Sequence, residues 1–434
     1  MDYKELYRSK LTDVEGALSM IRDGDVVIGG AVGQEPQACL NNLHTLAGKV
    51  HGVKYMSGLG MRSYPFMTDP ACRDTFSYDC IFLMGPGREA HRQGLVDVIP
   101  AHLHNGFDRW SEANGKPNVF MTAVSPMDKH GYFRVPLCVI QERAILERAD
   151  IVIVEVNPNL PATLGDTQLH VRDVDAIIET DYDIATLEPG AIDEDDRTIG
   201  AYIAEQVHDG DTIQLGIGGI PDAAAQALMS KHDLGIHTEM IGNSMADLIE
   251  AGVVTGKRKG INREKVIGAF AMGNRRLYDL LDNNPGIELR RGEYVNDPQV
   301  ISQHDNFVSI NTALTIDLGG QVCSESIGSL QYSGSGGQVD TAVGALHAKG
   351  GRNIIAVKSI KNTKQGVVSS INAQLPLGSV VTLSRNDLDC VVTEYGTAYM
   401  RGRTVRQRVD NLIAVAHPDF RAQLRKDAER LLLW

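Results

Sequence analysis

One short pattern occurs twice in this chain. "DGDVVIGGAVGQEPQACLNNL" at Asp23–Leu43 and "DGDTIQLGIGGIPDAAAQAL" at Asp209–Leu228 line up with a one-residue offset. Each copy has a DGD turn, a short β-branched strand, a glycine-rich loop, a proline and an Ala/Leu-rich helix. Pro36 and Pro221 fall near the first turn of their helices, where a missing N–H costs nothing. A strand that feeds a glycine loop and then a helix cannot pair with its chain neighbour as a hairpin. It calls for a crossover and a parallel sheet.

The rest of the chain fits that constraint. Apolar runs such as "IVIVEVN" (Ile151–Asn157), "NIIAVKS" (Asn353–Ser359) and "VVTLS" (Val380–Ser384) read as strands alternating with helical stretches. The expected class is α/β: two similar open α/β domains with mostly parallel sheets. At 434 residues the chain is long enough for two substantial cores. The acidic stretch Glu179–Thr198, with its Pro-Gly and no apolar period, reads as the linker. The boundary is placed near residue 190, giving domains 1–190 and 191–434.

Charge narrows the partners. A formal net charge of −13 argues against nucleic acid, whose binding needs a basic surface to release counterions. An anionic ligand must then be held by local basic groups or backbone N–H groups. Six scattered cysteines without a CxxC pair suit a reducing compartment. The charged N-terminus and the lack of an 18-residue apolar run point to a cytoplasmic chain without membrane insertion.

Several segments could carry chemistry. "GIGGIP" at Gly216–Pro221 follows a strand and opens a helix, so its N–H groups can meet an anion or a developing oxyanion. A dinucleotide fingerprint would need glycine where Pro221 stands, which disfavours a nicotinamide cofactor. In "DLGIHTEMIGNS", Glu239 sits among small and apolar residues with no Arg or Lys beside it. It follows Pro221 by 18 residues, enough for a helix and a strand to return the carboxylate to the glycine loop's end of the sheet. Such a carboxylate can serve as base or nucleophile, or simply sit at a strand end with its head in water. A second glycine-rich turn, Gly334, Gly336 and Gly337, precedes an Ala-rich helix and can cradle a phosphate or be a plain loop. "SPMDKHGYF" (Ser125–Phe133) reads as a turn rather than an acid–base pair. No metal-ligand spacing, GxSxG elbow or Walker A loop is present.

Taken in order, "SPMDKHGYF", "EVNPNLPATLGD", "GIGGIP", "LGIHTEM", "GSGGQVD" and "VVTEYGTAYMRGRTVRQR" resemble the acetyl-CoA hydrolase/transferase group of class I coenzyme A transferases. The resemblance runs over nearly the whole chain and is nearest to the 4-hydroxybutyrate and butyrate:acetate CoA-transferases. It implies an active site between two similar α/β domains and a nucleophilic glutamate in the HTEM motif, here Glu239. It implies that CoA, a substrate rather than a resident cofactor, is bound by Gly216, Ile217, Gly218, Gly219 and Ile220. Asn311, Gly336, Gly337 and Lys361 are the further binding residues it carries over. By symmetry with GIGGIP, Gln34 and Glu35 are the expected acyl contacts of the N-terminal half. Thr341, Val343, Asn243 and Ser244 depart from the family pattern, which leaves acetate, butyrate, 4-hydroxybutyrate, succinate and itaconate all open as the acid.

The reaction implied is ping-pong transfer of CoA between a short-chain acyl-CoA and a carboxylic acid, through an acyl-glutamyl anhydride and a glutamyl-CoA thioester. The alternatives are an acyl-CoA hydrolase using the same glutamate and a non-catalytic CoA-binding subunit. The resemblance further implies a homodimer or homotetramer.

Overall fold

The computed structural model describes residues 2–364 and 366–433. The chain forms two compact units, one running to Leu187 and including Ile267–Val295, the other comprising Glu188–Val266 and the chain from Asn296 onward. The returning segment joins the first unit through backbone hydrogen bonds: Val139 N–H to the Ala269 carbonyl at 3.0 Å, and Ala271 N–H to the Leu137 carbonyl at 2.8 Å.

The sheet of the first unit is built from β1 (Val26–Gly29), β2 (Val53–Ser57), β3 (Phe76–Cys80), β4 (Asp97–Val98), β5 (Val119–Val124), β6 (Ile151–Val156) and β7 (Ala176–Glu179). Their order is β4-β3-β2-β1-β5-β6-β7, and every pair is parallel. β1, β5 and most of β6 are buried on both faces, which is why they read as unbroken apolar runs. The helix α1 (Gln37–Asn42) follows the first glycine loop, with Pro36 at its N-cap. Its opening N–H groups are satisfied by Glu155 of β6, whose carboxylate accepts from Ala38 at 3.0 Å and Cys39 at 2.7 Å.

The second unit repeats the plan. β8 (Thr212–Leu215), β9 (Gly235–Ile241), β10 (Phe307–Thr312), β11 (Arg352–Ala356), β12 (Cys390–Thr393) and β13 (Gly396–Tyr399) stand in the order β9-β8-β10-β11-β12-β13. All neighbours are parallel except β12 and β13. In both units the strand of the repeated motif lies where the chain order reverses: β1 between β2 and β5, β8 between β9 and β10. At such a switch point the two flanking connections leave on opposite faces and open a crevice at the carboxyl ends of the strands.

Two sequence expectations change. The acidic run expected as linker is helical from Glu194, because Asp193 and Asp196 form a capping box that starts α2 (Glu194–Glu205). "VVTLS" is not a strand: Val380 and Val381 are exposed, and only Leu383 makes an isolated bridge to Val322. An apolar pair in an exposed loop has the same local composition as a short strand.

Helix α2 packs on α3 (Gly219–Ala227), the helix after the second glycine loop, at very short range. A β-carbon at Gly200 would stand 2.7 Å from the Ala223 carbonyl carbon. Gly200→Leu should therefore lower stability by about 1–3 kcal/mol through overpacking, read as a lower urea midpoint.

Candidate active site

The second glycine loop, Glu239 and Asn311 come level at the carboxyl edge of the second unit's sheet. The register that pairs Thr212 with Gly235 carries Glu239 to the level of Gly216. The register pairing Leu215 with Ile310 brings Asn311 to the same level on the other side. A strand of period two holds Glu239 on the same face as the buried His237 and opposite Thr238 and Met240.

The glycine loop sits above β8. The Gly216 N–H donates to the Ile310 carbonyl at 3.1 Å, and Ile217 and Gly218 are exposed. Gly218 has φ +112°, a conformation in which a side chain is strained, and α3 begins at the next residue. Ile220 turns inward and is buried. The exposed Gly218 thus precedes a helix start, whose first N–H groups have no partner within the helix.

Glu239 is recessed, with part of its surface open. Gly337, at the N-cap of α4 (Gln338–His347), packs against it: a β-carbon there would lie 2.0 Å from Glu239 Oε2 and 2.1 Å from Asn296 Nδ2. Only glycine permits this approach. The Gly337 N–H donates to the carboxylate, and Asn296 Nδ2 donates to Glu239 Oε2 at 3.3 Å. Asn296 is fully buried between a short helix ending at Val295 and the one starting at Pro298. Burial first, and then the negative charge of Asp340 on α4, push the Glu239 carboxyl up to about 7, against the pull of the two donors. A carboxylate of that basicity is a better nucleophile than an ordinary one and is still largely ionised just above neutral pH.

The other sequence-derived candidates are placed as follows. Asn311 lies in a polar cluster: its Nδ2 donates to Ser309 Oγ at 3.0 Å, Thr341 Oγ1 at 3.2 Å and Gln214 Oε1 at 3.2 Å. Gly336 has φ +54° and supplies the turn into Gly337. Lys361 is on a separate hairpin, Ile360–Thr363 with Gly366–Ser369, where its half-buried ammonium donates to the Leu314 carbonyl. Burial lowers its pKa. No contact joins it to Glu239 in the described structure.

Gln34, expected at the acyl group, is instead a clamp: its Oε1 accepts from Leu137 and Cys138 N–H at 2.9 and 3.0 Å, and its Nε2 donates to the Cys138 carbonyl at 2.8 Å. Glu35 does line a cavity of the first unit, with Tyr55, Tyr64, Tyr78 and Arg62. Burial pushes its carboxyl up to about 8. The Ser125–Phe133 segment is a turn, with Asp128 Oδ1 accepting from His130 and Tyr132 N–H at 2.8 and 3.0 Å. Sequence reasoning missed Asn296 and Asp340. Among the described residues no cluster of His, Cys, Asp and Glu is arranged to hold a metal ion, and no helix is long and apolar enough to cross a membrane.

These features coincide with a known family on both halves of the chain. Residues 1–189 match the acetyl-CoA hydrolase/transferase N-terminal domain, and residues 273–428 match the C-terminal domain of the same name. The chain belongs to the acetyl-CoA hydrolase/transferase family. It is 40% identical to a 4-hydroxybutyrate coenzyme A transferase of Clostridium kluyveri, over 99% of this chain and 100% of that one. It is 39% identical to a succinyl-CoA:cyclohexane-1-carboxylate CoA transferase of Geobacter metallireducens, over 99% of this chain and 97% of the relative. The crystal structure of RipA from Yersinia pestis superimposes with a TM-score of 0.92 at 34% identity, covering 100% of both chains.

The raised carboxyls have a stability consequence with a definite sign. An acid whose folded pKa lies above its unfolded value costs stability as pH rises from the unfolded value to the folded one. For Glu239 that window runs from 4.5 to about 7, and for Glu35 from 4.5 to about 8. Glu239→Gln should raise stability above pH 7 by no more than about 3 kcal/mol, with the difference vanishing below pH 4.5, as followed by urea unfolding across pH. Glu35→Gln should show the same sign with its plateau one pH unit higher.

Proposed function

We propose that this protein transfers coenzyme A between a short-chain acyl-CoA and a carboxylic acid, with Glu239 as the nucleophile. The observation that carries the reading is the Glu239 carboxylate itself: raised to about 7 and gripped by two neutral donors, Gly337 N–H and the Asn296 amide. A guanidinium or ammonium in their place would stabilise the carboxylate and blunt its attack.

The Glu239 carboxylate attacks the acyl-CoA carbonyl, the C–S bond breaks and CoA leaves as thiolate. The thiolate attacks the glutamyl carbon of the resulting anhydride, the acyl acid departs with one glutamate oxygen, and glutamyl-CoA remains. An incoming acid runs the sequence in reverse. Two different oxyanions arise, on the acyl carbon and on the glutamyl carbon. The second develops on an oxygen of Glu239, where Asn296 Nδ2 and Gly337 N–H already donate. The first falls to the N–H groups of Gly218 and Gly219, with Gly216, Ile217 and Ile220 shaping the loop that receives CoA. Binding of the remote CoA pieces orients the reacting carbon. Exclusion of water separates transfer from hydrolysis, because water attacking glutamyl-CoA turns the cycle into that of a thioesterase.

Relatives equally similar to this chain are named for 4-hydroxybutyrate and for cyclohexane-1-carboxylate, so overall identity does not choose the acid. Acetate, butyrate and 4-hydroxybutyrate are the first acceptors to assay, followed by succinate and itaconate.

Incubation with acyl-CoA should add the mass of CoA at Glu239, as a thioester that borohydride reduces. Glu239→Gln should abolish both the adduct and CoA transfer. Full transfer by that variant would sink the mechanism, and CoA release undiminished without any acceptor acid would make the protein a hydrolase. Asn296→Ala should lower kcat by about 10²–10³ with KM little changed, the usual loss for one oxyanion donor.

A further inference from the structure

A second carboxylate is buried close to Glu239. Asp340 is 2% exposed and lies in the first turn of the ten-residue helix α4. Three residues earlier in the chain is Gly337, the residue pressed against Glu239 Oε2. The turn between them is closed by the Thr341 N–H bonded to the Gly337 carbonyl at 2.9 Å. Three residues at about 1.5 Å of rise each place Asp340 about 4.5 Å along the helix axis from the glycine that crowds Glu239. Acidic side chains are favoured in a first turn, because the helix dipole supports negative charge there.

We infer that Asp340 biases the enzyme toward its acylated form, by repelling the Glu239 carboxylate in the resting state and losing that repulsion once Glu239 is a thioester. The inference rests on the proposed CoA-transferase mechanism. Its charge balance follows from the net step: a glutamate carboxylate and an acyl-CoA become a neutral glutamyl-CoA and a free carboxylate. The acyl C–S bond breaks, a new C–S bond forms on the glutamyl carbon, and one glutamate oxygen leaves in the acid. No electrons are gained or lost. The negative charge departs with the acid, so the pair of like charges exists only before acylation. The groups acting on Glu239 are Asp340 and the Gly337 N–H from α4 and the Asn296 amide from the segment before Pro298; of these only Asp340 is charged. Asp340 acts through Glu239 and is a positioning residue in the electrostatic sense.

The test compares the wild type with Asp340→Asn, Asp340→Ser and the charge-retaining Asp340→Glu at fixed ratios of acetyl-CoA to acetate. The ratio of glutamyl-CoA to free enzyme is read by intact mass after rapid quenching, and the pH profile of kcat/KM is read alongside. Both neutral variants should lower the thioester ratio about three- to tenfold and move the acidic midpoint down by about half to one pH unit. Asp340→Glu should restore both. A fall in rate with unmoved ratio and midpoint would mean a packing role and overturn the inference. Absence of any CoA adduct on the wild type would instead overturn the mechanism beneath it. Asp340→Ser supplies the comparison if Asp340→Asn does not fold.

Discussion

No β-carbon fits at residue 337, because it would overlap both the Glu239 carboxylate and the Asn296 amide. That contact fixes where α4 begins, since Gly337 is its N-cap. It also sets which backbone N–H of that turn points at the Glu239 carboxylate. The parallel register of β8, β9 and β10 brings the carboxylate to the sheet edge, and the glycine lets a helix start arrive there without pushing it away. The raised basicity of Glu239 follows from the same closeness. It removes water from the carboxylate and supplies two neutral hydrogen bonds in exchange, which compensates the lost hydration only in part.

The two hydrogen bonds that Glu239 accepts, from the Gly337 N–H and the Asn296 amide, come from neutral donors, and this gives the site its chemical character. The chain carries a net charge of −13, and the reaction brings in anionic acids and a phosphate-bearing thioester. Counterions would relieve that repulsion but would also lower the basicity of a carboxylate such as Glu239. Backbone N–H groups at helix starts avoid the conflict, since they hold anions with partial charge and fixed geometry.

Features encoded within a few residues were legible in the sequence. The repeated DGD-strand-glycine-helix pattern gave the parallel α/β architecture, and the lone glutamate among apolar residues stood out from its neighbours by its chemistry. Asn296 and Asp340 were not legible. "VNDPQ" reads locally as a helix start, which it is, and Asp340 reads as an ordinary first-turn acid. Their importance arises only when segments 57 and 101 positions beyond Glu239 fold back onto it. Gln34 misled for the opposite reason: symmetry with GIGGIP placed it in a site, whereas its amide is spent on the backbone of Leu137 and Cys138. Val380 and Val381 show that two β-branched residues do not make a strand without a neighbour to pair with.

The two copies of the motif share a register but not a residue at one telling position. In the second unit, four residues beyond the partner of Thr212 stands Glu239. In the first unit, four residues beyond Lys54, the partner of Val26, stands Gly58. One copy of the motif carries a carboxylate at this level of the sheet, and the other has no side chain there at all. The two sheet edges therefore differ in charge at equivalent positions, although their backbones follow the same register.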